Sequence, residues 1–162
     1  MEGRFVRESK SEYSEIALPI YANPLGDLLG GRVMHLVDMA AALAASRHSR
    51  RPVVTASIDH MSFLHPVLIG QLVVLRSSVN RCFRTSMEVG VKVMVEDLET
   101  GEVRHTSSAY LTFVALDRNG RPTAVPPAIP ETPDEKRRYD EAGRRRELRL
   151  EKRDCARDKD QG

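Results

Sequence analysis

Asp38 has the most demanding placement in the chain. It stands inside Leu28–Ser46, LLGGRVMHLVDMAAALAAS, a run one helix long that only Arg32, His35 and Asp38 interrupt. A helix apolar on nearly every side is a buried helix, wrapped by other elements. A carboxylate there is costly to keep ionised unless it is paired or used in chemistry. The run opens on Gly30-Gly31. Amides at a helix start are unpaired and carry partial positive charge, and glycine lets a ligand approach them closely. Asn23 precedes Pro24 in the turn-rich stretch ANPLGDLLGG, and His35 shares the face of Asp38 three residues on. Arg81, Arg84, Thr85 and Ser86 gather at a strand-to-strand turn, where guanidinium and hydroxyl groups suit phosphate oxygens. Arg47, His48, Arg50 and Arg51 form a second basic group at the helix exit. Each feature has a plainer reading: a locally hydrogen-bonded Asp, glycines that only ease the chain into the helix, an Asx turn, solvated arginines.

These residues need elements to hold them. The period predicts a helix over the apolar run, closing around Arg47-His48-Ser49, where cations suit the dipole and Pro52 forbids continuation. Tyr13–Tyr21 has strand-like content, but Pro19 confines it to an edge or an early end. Beyond Pro52 the period changes to two. Strands are expected over Val53–Asp59, Leu72–Arg81, Met87–Val95 and Val103–Leu116, with turns at Glu99-Thr100-Gly101 and Asn119-Gly120. One strand, one buried helix and then antiparallel strands on short connections describe an α+β sheet curled around the helix.

The totals set bounds. The chain has 162 residues, 41% hydrophobic and 30% charged, enough for one domain with a sizeable core. Arg32 and Asp38 would each cost roughly 2.5–3.5 kcal/mol at a bilayer centre, so the apolar run is no membrane span. The first fifteen residues lack the apolar core of a signal peptide, which points to the cytoplasm. Cys82 and Cys155 make no disulfide framework, and no Cys/His cluster has zinc spacing, so no metal is expected. Residues 1–11 read as a loose, polar N-terminus. A proline-dense linker follows near residues 122–133, and Asp134–Arg153 reads as a polar helix with Glu141 and Arg145 at i, i+4 spacing. The net charge of +2 lies wholly in residues 134–162, and residues 136–153 alone carry nine Lys/Arg against four Asp/Glu. Such a tail could approach acidic partners, although its acidic residues and lone Tyr139 weigh against nucleic acid; packing on a neighbouring subunit is the expectation.

Asn23, Gly26, Gly30-Gly31, Asp38 and the small residues Ala40–Ala42, in that order, together with VTASIDHMSFLHPVLIGQLV and RTSMEVGVKV, closely resemble the hotdog-fold acyl-CoA thioesterases. The branch is the one that hydrolyses a broad range of acyl-CoA esters. The resemblance covers residues 12–127, leaving 128–162 as linker and charged tail; Leu29 departs from it where an aromatic is common. It implies a hotdog fold, one long helix wrapped by a curved antiparallel sheet of five or six strands. It also implies side-by-side dimers, assembled as a trimer of dimers, with Asn23 and Asp38 meeting from different subunits. Asp38 would act as general base or as nucleophile on the thioester, and the sequence leaves both open. Gly30 and Gly31, Gly31 foremost, would stabilise the oxyanion, and Asn23 would orient the carbonyl or the water. Arg81, Arg84, Thr85, Ser86 and Arg47 would bind CoA, which is part of the substrate; no separate cofactor is expected. Nothing in the family pattern demands a His35–Asp38 dyad.

Two rivals share the fold. Enoyl-CoA hydratases need Asp-x-Asn-Pro-x-His, and here Tyr21 and Gly26 stand at the two catalytic places. A non-catalytic acyl-CoA sensor is the alternative; it needs an attached effector that eleven loose residues would not supply, and it would not need Asp38.

Overall fold

The computed structural model describes residues 1–160. In chain order the strands are β1 (Arg4–Phe5), β2 (Ser11–Ile16), β3 (Val53–Ile58), β4 (Leu72–Cys82), β5 (Ser86–Glu96), β6 (Val103–Ala115) and β7 (Ala128–Ile129). The helices are α1 (Gly30–Ser49) and α2 (Pro133–Asp160). Five strands make one antiparallel sheet in the order β2-β4-β5-β6-β3, and β1 pairs with β7 in a small parallel ribbon. The period-two segments therefore form the expected strands. β2 lies at the sheet's edge and ends early, at Ile16, as Pro19 led one to expect; a short 3-10 turn over Pro19–Tyr21 follows, because proline has no N–H for the ladder.

Val73, Leu75, Val89, Val93, Leu111 and Phe113 point from the sheet's inner face and are almost fully buried. Against them lie Val33, Leu36, Val37, Ala40, Ala41, Ala44 and Ala45 of α1. The alanines let the helix settle close to the sheet, and the Ser77 hydroxyl donates to the Ala40 carbonyl at 2.7 Å. Register shifts at Thr55/Ser57, Val79/Arg81 and Val93/Met94 curl the sheet toward the helix. The curl stops short of enclosure. Met34, Met39 and Leu43 stay 40%, 38% and 46% exposed, so α1 is not wrapped on all sides within one protomer. Among the described residues no helix is long and apolar enough to cross a membrane.

The N-terminal residues are not loose. Val6 is buried, and the buried Ser9 hydroxyl accepts from the Val79 amide at 2.9 Å while donating to the Val6 carbonyl at 2.7 Å. Arg4 donates to the His48 carbonyl, one of those left unpaired at the end of α1. His48 itself is fully buried, and its Nε2–H donates to the Pro126 carbonyl at 2.8 Å. Burial holds its pKa below the ordinary 6.5, against the opposing pull of that carbonyl.

α2 lies on the outer face of its own sheet rather than waiting for a neighbour. It begins with a capping box: the Thr132 hydroxyl accepts from the Glu135 amide at 3.1 Å, and Glu135 accepts from Thr132 and Glu131 amides. Farther on, Arg145 makes a forked contact with Glu88 (2.8–3.2 Å), Arg149 reaches Glu88 and Asp59 (3.4 and 2.8 Å), and the Asn80 amide donates to Glu88 at 3.1 Å. Glu88, on the face expected to meet solvent, is completely covered.

Two outcomes follow from these contacts. Glu88→Ala strands two guanidinium groups, but Arg145 retains some access to water. The expected loss is about 1–3 kcal/mol, below the value for a fully buried pair; thermal melting and limited proteolysis beyond residue 130 read it. Unfolded chains take up a proton at His48 near pH 6.5 while the folded protein resists it. Stability is therefore full above pH 6.5 and falls as pH drops below it. Melting temperatures between pH 8 and 5 should show this slope, reduced in His48→Gln.

Candidate active site

The start of α1 is built to leave amides open. Leu29 occupies the N-cap without a side-chain hydrogen bond. Its carbonyl takes the Arg32 and Val33 amides at 3.0 and 3.2 Å, and none of the described residues accepts from Gly30 or Gly31. A β-carbon on Gly31 would meet nothing within 4 Å, and one on Gly30 would sit 3.6 Å from Phe63. Open space over unpaired amides is what an incoming oxyanion needs.

The preceding loop closes on itself. Asn23 Oδ1 accepts from the Leu25 and Asp27 amides at 2.9 and 3.0 Å, and Gly26 takes the left-handed φ of +83° that the turn requires. With its carbonyl oxygen so engaged, Asn23 has its NH₂ group left to offer. Arg32 fastens the loop to the helix. It stacks 3.9 Å from the Tyr21 ring and pairs with Glu15 at 2.6 Å; Tyr13 also donates to Glu15, at 2.7 Å. Those hydrogen bonds, opposed by burial, hold the Glu15 carboxyl below its ordinary range.

Asp38 is half-buried rather than submerged. It lies on the uncovered stripe of α1, between Met34 and Met39, and the Thr55 hydroxyl donates to its Oδ1 at 2.6 Å. Thr55 faces inward because it pairs with buried Phe113, just before the bulge in β3. It is the residue that sequence reasoning missed; its one signal is a hydroxyl on the inward phase of an edge strand. Thr55 fixes one carboxylate oxygen and leaves the other free. His35 is exposed and makes no hydrogen bond to Asp38 among the described residues.

Gly31 and Asp38 share one face of α1, but two turns separate them by about 10 Å along the axis. They do not reach a common carbonyl carbon from the same helix. The residues expected at CoA lie farther off. The Phe83–Ser86 turn adjoins Ala115 and Val125, beside the end of α1, about 30 Å from Gly30 along a 20-residue helix. There Arg81 lies against Tyr139 and Gly143 of α2, donating to the Tyr139 carbonyl at 3.4 Å. Ser86 is buried and accepts weakly from Arg146; Arg47 donates to the Lys10 carbonyl at 2.7 Å. Arg84 stays exposed and Thr85 half-exposed. One protomer thus does not bring the two expected groups together.

The thioesterase superfamily model matches residues 25–102. The acyl-CoA thioester hydrolase YkhA of Bacillus subtilis is 44% identical over 134 residues, covering 83% of this chain and 78% of that protein. The chain belongs to the hotdog-fold acyl-CoA thioesterases. A hexameric acyl-CoA thioesterase, solved without ligand, superposes with a TM-score of 0.90 at 39% identity, covering 94% of this chain and 97% of the other. An acyl-CoA hydrolase from Staphylococcus aureus in complex with butyryl-CoA and CoA superposes at 0.89 with 34% identity, covering 96% and 94%. That enzyme has also been solved with an Asn, an Asp and a Thr each replaced by Ala. Within this thioesterase fold, Asn23, Asp38 and Thr55 are spaced at the same intervals as those three.

If the opening above Gly31 serves a ligand, Gly31→Ala separates folding from function. With nothing in the way of the new methyl group, melting should hold or rise by up to about 1 kcal/mol, since alanine suits a helix better. Thioester hydrolysis should still fall at least tenfold, measured as thiol release on the same preparation.

Proposed function

We propose that this chain hydrolyses acyl-CoA thioesters to CoA and a carboxylic acid. The observation that carries the reading is Asp38, pinned by Thr55 through one oxygen and free at the other, on the one stripe of α1 that its own sheet leaves bare. The free oxygen either takes a proton from water as that water attacks the thioester carbon, or attacks the carbon itself to give a mixed anhydride that water then opens to the carboxylic acid. In either case the carbonyl oxygen gains charge, and a helix-start amide within about 3 Å stabilises it. The thiolate of CoA then leaves.

That amide belongs to a second copy, because Gly31 of the same helix is too distant. The copy seats on the stripe Met34–Met39–Leu43 and on the free edge of β3, where Val54 and Ile58 are 46% and 38% exposed. Pairing two β3 edges antiparallel continues the sheet and lays the two α1 helices in opposite directions. The glycine pair and Asn23 loop of one copy then approach Asp38 of the other. Asn23, with its NH₂ free, donates to the substrate carbonyl or to a water oxygen. The hexameric relative supports the further assembly of three such dimers.

Thiol release from a series of acyl-CoA chain lengths tests the proposal. Asp38→Asn keeps the shape and the Thr55 contact but removes the charge, so kcat should fall about 10²–10⁴-fold with folding intact. A wild-type protein that binds acyl-CoA and releases no thiol would instead be a sensor. Mixing Asp38→Asn with a Gly31 variant should restore activity at one of the two seams, as expected of a shared site. No recovery in the mixed dimer would place the whole site in one protomer.

A further inference from the structure

β3 brings Thr55 to Asp38, yet it is weakly held within one protomer. It is an edge strand, paired only with β6. Its register shifts between Thr55 and Ser57, so Ala56 has no counterpart on β6. A bulge of this kind re-aims the side chains beside it, and here it adjoins the residue that holds Asp38. Before the bulge, the Leu116 amide donates to the Pro52 carbonyl at 2.8 Å; beyond it, the Asp59 amide donates to the Tyr110 carbonyl at 2.9 Å. A slip of one residue past the bulge would turn Thr55 to the other face. Among the described residues, β3 and Asp59 make one ion pair: Arg149 Nη1 of α2 meets Asp59 Oδ2 at 2.8 Å. Both side chains are mostly covered, so salt screens the pair little.

We propose that Arg149 and Asp59 are a positioning pair for the active site, clamping β3 beyond its bulge so that the Thr55 hydroxyl stays on Asp38. This rests on the acyl-CoA hydrolase reading above and gives α2 a part in the chemistry, exerted through Thr55 rather than on the thioester. The geometry of the pair is not the one that stability alone selects. Arg145 forks Nε and Nη2 onto Glu88 at 3.1 and 2.8 Å. Arg149 instead directs the single Nη1 at both Asp59 and Glu88, the latter at 3.4 Å, and leaves Nη2 buried without a partner among the described residues. An unmet buried donor lowers stability. What the arrangement secures is a tie that runs from β5, through Glu88 and Arg149, to the end of β3. A second copy on the free edge would still need β3 in one register, and that register is set from within the protomer.

Thiol release from acyl-CoA reads the clamp. Asp59→Asn and Arg149→Met should each lower kcat about five- to tenfold with KM changed by less than about twofold, because groups that bind substrate are kept. Arg149→Lys, which keeps a cation at Asp59, should recover most of the loss. In a Thr55→Val background, where the hydroxyl is already gone, neither substitution should lower kcat by more than about twofold further. Glu135→Gln weakens the start of α2 without touching β3, so it should lower the melting temperature while kcat holds. Losses that multiply in full in the double variants, or an equal fall of kcat in Glu135→Gln, overturn the clamp and leave an ion pair that only stabilises. Wild-type protein that binds acyl-CoA but releases no thiol overturns the hydrolase reading instead. Amide hydrogen exchange then decides the clamp without turnover: residues 53–58 should exchange about tenfold faster in Asp59→Asn while β5 keeps its rates. Unchanged exchange over those residues overturns it.

Discussion

A flat layer can cover only one side of a cylinder, and that constraint shapes everything else here. The five strands bury the Val33–Leu36–Ala40–Ala44 side of α1 and cannot reach the opposite one. Bulges bend the sheet without closing it, since β2 and β3 remain its two edges. What is left bare is apolar methionine and leucine with one carboxylate among them. A monomer gains nothing from such a surface, and water solvates it poorly. A second copy seated as proposed would remove both costs, each bare helix becoming the other's missing cover. Its apolar contacts would then exclude water from Asp38 and strengthen every interaction that charge makes.

The same helix is left unfinished at its start. Most helices engage a Ser, Thr, Asp or Asn to satisfy the first amides, worth about 1 kcal/mol. α1 has Leu29 there instead, and glycines after it, whereas α2 in the same chain has a complete Thr132/Glu135 box. The contrast is physical. α2 satisfies its own first amides; those of α1 are left open for the substrate carbonyl that the proposed reading brings to them. The uncapped start, the open space above Gly31 and the loop braced by Arg32 all give up stability at one spot. Structure lost locally in this way marks places where a ligand supplies the missing partner.

Much of this was legible in the sequence because local periodicity decided it. The alternation Met87, Val89, Val91, Val93, Val95 faces inward as read, and Gly30-Gly31 and Asp38 fall on one helix where the apolar run put them. What escaped was non-local. Thr55 follows Asp38 by half a helix and a turn, and only the sheet's curl brings the two within 2.6 Å. Glu88 alternates like any outward residue, so its full burial is invisible until α2 lies over it. The N-terminus is polar on average yet anchored by Val6, the Ser9 hydroxyl, Arg4 on the His48 carbonyl and the β1–β7 pairing. The burial of Asp38 was overestimated for a related reason: helix composition reports apolar surroundings without saying whose chain provides them.

α2 poses the remaining problem, since it buries only Glu135 and Ala142 completely. Apolar area cannot be what docks it. Ion pairs with a covered carboxylate add little net stability because desolvation offsets their attraction, but they tolerate few geometries. Arg145 and Arg149 are four residues apart, so both lie on one face, and both must meet the same Glu88. Tyr110 beneath Arg145 at 3.7 Å and Gly143 over Arg81 restrict the helix further. With rotation and translation so fixed, the residue after Arg145 has no freedom either: one hundred degrees around the helix, Arg146 must fall over Phe83 and the β4–β5 turn. A network that does little for stability thereby decides where an unpaired cation stands. That is the form of contribution to expect from a polar helix laid on a sheet that already has its core.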